Sequence, residues 1–205
     1  MTINRRALIG AGLTAGALGS VVGLPHLARA QSPSIDEVLN DPVAPEQGNP
    51  EGDVTIVEYF DYQCPYCKAM HPLLRDVVEA DGNVRLVMKD WPIFGPPSTY
   101  ATRLALGAVG LDRYAAVNAA LMDTEARLTQ EQVEEVVGAV VTLEEAQASY
   151  RENADKWNAL LQRNDRQAVA LGFRGTPAFA IGTTLYGGVL DRETLTGAIA
   201  KARSA

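Results

Sequence analysis

Apolar and polar positions follow two different periods along the chain. Val54-Thr55-Ile56-Val57-Glu58-Tyr59-Phe60 is β-branched, aromatic and almost wholly apolar, the pattern of a strand covered on both faces and central in a sheet. Pro65 suits the first turn of a helix, and Met70, Leu73, Leu74, Val77 and Val78 then recur at helical spacing until Asp81-Gly82-Asn83 ends the run. A second strand is predicted over 84–88. Strand, helix and strand in this order form a βαβ unit, with parallel strands and a right-handed crossover. Residues 98–171 show no convincing strand and recurring helical patterns, with Thr129-x-x-Gln132 and Thr142-x-x-Glu145 readable as capping boxes. Beyond Gly172 the two-residue period returns. Ala178-Phe179-Ala180-Ile181 and Thr183-Thr184-Leu185-Tyr186 flank Gly182 as a tight hairpin, and Asp191 can cap a last helix that turns Leu195, Ile199 and Ala200 toward the sheet. No internal repeat is present. The pattern is that of an α/β sheet domain interrupted by helices.

The first thirty residues stand apart. Arg5-Arg6, a weakly apolar stretch over 7–24 and Ala28-Arg29-Ala30 supply the charged, apolar and A-x-A parts of an export signal, with cleavage expected after Ala30. Asn4-Arg5-Arg6-Ala7-Leu8-Ile9 resembles a twin-arginine signal. The competing reading is an uncleaved membrane anchor, although the stretch is rich in Gly and Ala and at the lower edge of spanning length. Residues 31–53, rich in Pro, Asp, Asn and Gly, read as an extended arm with a short helical turn near 35–39. The expected organisation is therefore a signal peptide (1–30), an arm (31–53), a sheet domain in two parts (54–97 and 172–205) and a helical subdomain between them (98–171). Its 18 basic side chains against 25 acidic ones give a net charge of -7 with no basic cluster, which argues against a nucleic-acid partner.

Chemistry concentrates at Cys64-Pro65-Tyr66-Cys67, where a buried strand feeds a helix and where both cysteines of the chain lie. The first helical turn offers unpaired N–H groups and the positive end of the dipole, so a Cys64 thiolate is stabilised there. That anion exists in the dithiol and not in the disulfide, so the disulfide would be an oxidant. Cys67, one turn deeper, would resolve a mixed disulfide by attacking the Cys64 sulfur. A zinc site would need a carboxylate or another chain, because His71 is the only histidine left once the signal is removed. Lys68 follows Cys67, where covalent haem attachment needs His. A purely structural disulfide remains open, though so small a ring stabilises weakly. So does a binding module in which Cys64 and Cys67, with Met70 and His71, hold Cu(I). Glu58 is the next candidate, since a carboxylate in an apolar strand is costly without a partner or a proton. Lys89 is its expected ion-pair partner, and the two would handle the Cys67 proton. His71 lies one turn beyond Cys67 and is expected to be solvated.

Phe60-Asp61-Tyr62-Gln63-Cys64-Pro65-Tyr66-Cys67-Lys68, Trp91-Pro92-Ile93-Phe94-Gly95-Pro96 and Gly175-Thr176-Pro177-Ala178-Phe179 together resemble the DsbA family of bacterial thiol-disulfide oxidoreductases, over Asn49 to Ala200. The resemblance implies a thioredoxin fold with an inserted helical subdomain. It also implies that Cys64 is the nucleophile, Cys67 the resolving thiol, Pro177 a cis-proline facing them and Glu58 a buried acid. Thr176 would then offer its backbone to an extended substrate segment. The implied activity is disulfide formation in exported, periplasmic proteins, with no cofactor and no metal. The partners are cysteine-containing substrates and a membrane redox protein of the DsbB type. Tyr66 stands where this motif often has His, and with Thr176 it also resembles disulfide isomerases and reductases of the same fold. Those generally oligomerise through an N-terminal extension; the short arm here points to a monomer and to an oxidase.

Overall fold

The computed structural model describes residues 32–205, and the export signal expected over 1–30 lies outside the described residues. Strands β1 (Glu46–Gly48), β2 (Val54–Phe60), β3 (Val84–Asp90), β4 (Ala178–Ile181) and β5 (Thr184–Gly187) form one mixed sheet in the order β1-β3-β2-β4-β5. β2 and β3 are parallel neighbours, joined across helix α2 (Pro65–Asp81), as the apolar run and helical spacing dictate. β1, β4 and β5 pair antiparallel with β3, β2 and β4 respectively.

Between β3 and β4 the chain is helical: α3 (Pro96–Gly107), a 3-10 turn at Ala108–Leu111, α4 (Tyr114–Met122), α5 (Gln130–Gly138), α6 (Leu143–Glu152) and α7 (Ala154–Ala170). Thr129 and Gln132 form the full reciprocal capping box. Thr142 makes only half of one, because the Glu145 side chain takes the Thr142 hydroxyl and not the backbone N–H. At Gly107 the α3 backbone lies against α6, where any Cβ would overlap the Ala146 carbonyl. The α/β fold with a helical insertion is as expected.

The arm is more ordered than its composition suggests. Helix α1 (Ile35–Leu39) carries the capping box of Ser34 and Glu37, and β1 extends the sheet edge. Helix α8 (Arg192–Arg203), capped by Asp191, turns Leu195, Ala198 and Ile199 inward. Ala200 is exposed, one step off that i, i+3, i+4 face. β3 runs two residues beyond the expected 84–88, and this takes Lys89 and Asp90 into the sheet.

That extension fixes which way each side chain points. Glu58 pairs with Met88, Tyr59 with Lys89 and Phe60 with Asp90, so Glu58 and Asp90 share one face and Lys89 lies on the other. On Lys89's face, α1 and α7 cover the sheet. Lys89 Nζ there meets Asp41 Oδ2 at 2.6 Å, and Arg163 grips the same carboxylate with two bonds of 2.8 Å. Lys89 is therefore not the partner of Glu58. Strand alternation separates them, and the arm, not β2, supplies the counter-charge. Among the described residues no helix is long and apolar enough to cross a membrane.

Candidate active site

Cys64 is the N-cap of α2, with extended backbone (φ -82, ψ 115), and Pro65 takes the first helical position, where its missing N–H is not needed. Tyr66 stands out at the mouth of the site, 66% exposed. Across from it the Thr176–Pro177 peptide bond is cis, and the Thr176 carbonyl lies 3.2 Å from Cys64 Sγ. Cys64 and Cys67 are free thiols and both are buried, Cys67 fully and Cys64 almost so.

The two sulfurs differ in electrostatics. The Cys67 thiol donates to Cys64 Sγ, and the backbone N–H groups of Cys67 and Tyr66 add to it. Together they overcome burial and bring Cys64 down to about 6. The thiol contact is the largest contribution, ahead of the helix-terminal amides that the spacing pointed to. The Thr176 carbonyl accepts from a protonated sulfur only, so it favours the thiol, and the donors outweigh it. Cys67 is pushed far above the ordinary thiol range by burial, by its bond to Cys64 and by the Glu58 charge. One sulfur is a thiolate at neutral pH and its neighbour is a protonated thiol.

Glu58 lies on the sheet face under Cys67, 1% exposed, and neither carboxylate oxygen has a hydrogen-bond partner. Burial first, and then the charges on Cys64 and Asp90, raise it to about 8. An acid raised in this way opposes folding between its unfolded and folded values. Below pH 4.5 both states are protonated; between there and about 8 only the unfolded chain ionises and is favoured. Glu58→Leu is therefore expected to raise stability by a few kcal/mol more at pH 7 than at pH 4, at about 1.4 kcal/mol per pH unit, the smaller gain at pH 4 coming from the unpartnered neutral carboxyl. Chemical denaturation at the two pH values checks this.

The loop carrying Cys64 is tied down by residues that the sequence reading left without a role. The Asp61 carboxylate accepts from the backbone N–H of Gln63 (2.7 Å), Ile93 (2.6 Å) and Phe94 (3.1 Å) and from the Ser98 hydroxyl. Its own carbonyl accepts from Cys64 N at 3.0 Å. Gln63 Oε1 accepts from Leu128 N at 2.7 Å, and Lys68 Nζ donates to Thr124 Oγ1 at 2.7 Å and to the Ala126 carbonyl. The helical insertion is thus bonded to the cysteine loop through Ser98 and Leu128 and to the first turns of α2 through Thr124 and Ala126. Asp61, Gln63 and Lys68 all fall inside the first motif, and that membership was the available signal.

His71, expected to be solvated, is buried, and desolvation together with Arg75 lowers it to about 4, so it is neutral at pH 7. Among the described residues no three His, Cys, Asp or Glu side chains are grouped so as to hold a metal, so a metal here would rest on the two sulfurs. Beside Thr176 and Pro177 opens a cleft of about 430 Å³, lined among others by Phe173, Arg174, Leu185 and Tyr186.

A thioredoxin family model matches residues 40–201. A thioredoxin-like oxidoreductase from Silicibacter pomeroyi superposes with a TM-score of 0.80 at 38% identity, covering 84% of this chain and 99% of that one. A periplasmic thioredoxin-like protein from Salmonella enterica serovar Typhimurium gives 0.72 at 26%, covering 83% and 95%. The thiol-disulfide exchange protein alpha-DsbA2 of Wolbachia pipientis gives 0.75 at 25%, covering 81% and 90%. Among curated proteins, the chain is 27% identical over 209 residues to the Na+/H+ antiporter NhaA 1 of Salinispora arenicola. That alignment covers 96% of this chain and 32% of the antiporter, so the chain spans about a third of that relative's length. With its cysteine pair at the start of α2 opposite Pro177, the chain belongs to the thioredoxin family, in the fold of its DsbA-like thiol-disulfide oxidoreductases.

Proposed function

We propose that the chain is an extracytoplasmic thiol-disulfide oxidoreductase that forms disulfides in exported proteins. The observation that carries this reading is the split between the two sulfurs, Cys64 down at about 6 and Cys67 pushed far up. In the oxidised enzyme, a substrate thiolate attacks Cys64 Sγ. The Cys64–Cys67 bond breaks, and Cys67 leaves and takes a proton from Glu58. The second substrate thiolate then attacks the substrate sulfur of the mixed disulfide. The substrate gains its disulfide, and Cys64 departs as a thiolate, a good leaving group because its conjugate acid is strong. Two electrons have passed from substrate to enzyme.

Thr176 and Pro177 border the sulfur and the cleft beside it, where an extended substrate segment would pair with the Thr176 backbone. A membrane partner of the DsbB type would reoxidise the dithiol, and no cofactor is needed. The periplasmic description of the Salmonella neighbour and the export signal read at 1–30 both support an extracytoplasmic, periplasmic site of action. The short arm supports a monomer, since α1 and β1 are folded onto the chain's own sheet.

Titrating the ultraviolet absorbance of the thiolate tests the reading. The midpoint is expected near 6, which leaves about nine-tenths of Cys64 ionised at pH 7. Relative to an ordinary thiol this favours the reduced form by about 1.4 kcal/mol, or roughly 30 mV, at that pH. A midpoint above 8 would overturn it. Tyr66 and Thr176 favour isomerase activity as the second reading, and refolding of scrambled ribonuclease separates the two.

A further inference from the structure

A second buried acid lies beside Glu58 and has no part in the scheme above. Asp90 ends β3 opposite Phe60, on the same sheet face as Glu58 and in the adjacent strand. It is 0% exposed, and among the described residues neither acid forms a salt bridge. Two buried carboxyls on one face of adjacent strands, diagonal to each other in the register, do not both ionise readily, so the pair holds a proton that one of them must carry.

Hydrogen bonding decides which. Tyr114 on α4 donates its hydroxyl to Asp90 Oδ2 at 3.3 Å. Tyr62 accepts from Asn118 Nδ2 at 3.3 Å, which leaves its own hydrogen to the Tyr114–Asp90 group. Asp90 Oδ1 and both Glu58 oxygens have no donor. A charge on Asp90 therefore has a phenol donor in Tyr114, whereas a charge on Glu58 has no donor. The titratable groups facing Asp90 are Glu58 from β2, Asp61 and Tyr62 from the loop that follows it, and Tyr114 from α4. Those facing Glu58 are Cys64, Cys67, Tyr62 and Asp90. No cation is among them.

We propose that Asp90 is a positioning residue for the Glu58 proton: it ionises first of the two, and its charge keeps Glu58 protonated so that Glu58 has a proton to give to Cys67. The need is greatest in the oxidised enzyme. There Cys64 is in a disulfide and bears no charge; burial raises Asp90 as well, to about 8, so both acids hold their protons at neutral pH, and as pH rises the Asp90 charge is the one left to hold the Glu58 proton in place. When the disulfide opens, the proton moves from the Glu58 carboxyl to Cys67 Sγ, and one negative charge moves from sulfur to carboxylate. The use of the proton rests on the thiol-exchange reading; the coupling of the two acids does not.

The test is a carboxyl-carbon NMR titration of the oxidised full chain, with the pH profile of disulfide opening by dithiothreitol as the functional readout. Asp90 is expected to titrate below Glu58 in the wild type. Asp90→Asn is expected to lower the Glu58 midpoint by about one pH unit, a tenfold loss of its protonated form above that midpoint. The alkaline limb of the opening rate should move down with it. Tyr114→Phe removes a donor from Asp90 and should raise the Asp90 midpoint. Glu58 titrating first in the wild type overturns the proposal without any variant, and so does an unmoved Glu58 midpoint in folded Asp90→Asn. A chain that failed to exchange thiols at all would remove the proposed function, and the NMR titration would still report the coupling.

Discussion

Cys64→Ser is expected to remove thiol-disulfide exchange altogether, whereas Cys67→Ser should keep its first half and stall. A serine hydroxyl has no accessible anion at neutral pH and cannot be one half of a disulfide. Insulin reduction and dithiol-peptide oxidation should therefore fall by at least about a thousandfold, roughly 4 kcal/mol of barrier, to the uncatalysed background. In Cys67→Ser, Cys64 still attacks a disulfide, but no second sulfur is present to release it. The mixed disulfide should accumulate as a covalent adduct, visible on a non-reducing gel and lost on adding dithiothreitol. Cys67→Ala, which leaves neither thiol nor hydroxyl to donate to Cys64, should raise the Cys64 midpoint from about 6. Equal activity of Cys64→Ser and the wild type would end the functional reading. Adducts forming through Cys67 instead would reverse the assignment of the two sulfurs.

The parts of the fold visible in the sequence are those whose physics is local. The apolar run of β2, the helical spacing after Pro65, the hairpin about Gly182 and the caps at Thr129 and Asp191 depend on residues within a few positions of one another, and each stands where it was read. The errors concern register and long-range partners. The apolar pattern ends β3 at Met88 and leaves Lys89 and Asp90 at the strand end. Both stay because distant residues receive them: Asp41 from the arm takes Lys89, and Tyr114 from the insertion takes Asp90. At the strand end Lys89 is free to be read as a partner of Glu58, and the added register pair of Tyr59 with Lys89 shows that it is not. His71 failed for a similar reason, since a histidine on a helix near an active cysteine gives no sign of whether another helix covers it. The site shows the same division. The Cys64–Cys67 spacing is local, and the Thr176–Pro177 motif was recognised by resemblance. The Asp61 anchor required knowledge of what crosses the loop from residues 93–98.

Asp41→Ala is the substitution expected to destabilise the chain most. Lys89 is wholly buried, and Asp41 is its counter-ion at 2.6 Å, with Arg163 closing the other side of the carboxylate. Removing one member of a buried pair leaves the other charged in an apolar layer, which costs on the order of 3–5 kcal/mol. Burial already pulls Lys89 below its usual range, so without Asp41 it is driven further toward the neutral amine. The melting temperature should fall by roughly 10 °C. Arg163, at 32% side-chain exposure, can turn to solvent, so the penalty lies with Lys89. Asp41→Ala combined with Lys89→Met should then recover most of the loss, since a packed apolar side chain in place of the pair is often neutral. The acid limb of stability provides a second check. Bonds from Arg163 and Lys89 overcome desolvation and hold Asp41 at about 2, below its ordinary 3.8. Its contribution is complete above pH 4 and is lost as pH falls through 2, so wild type and the single variant Asp41→Ala should converge there. Asp41 acts on the sheet face away from Glu58, so the Cys64 midpoint of folded Asp41→Ala should stay near 6. A shift there would mean that the two faces are coupled and that the arm reaches the chemistry.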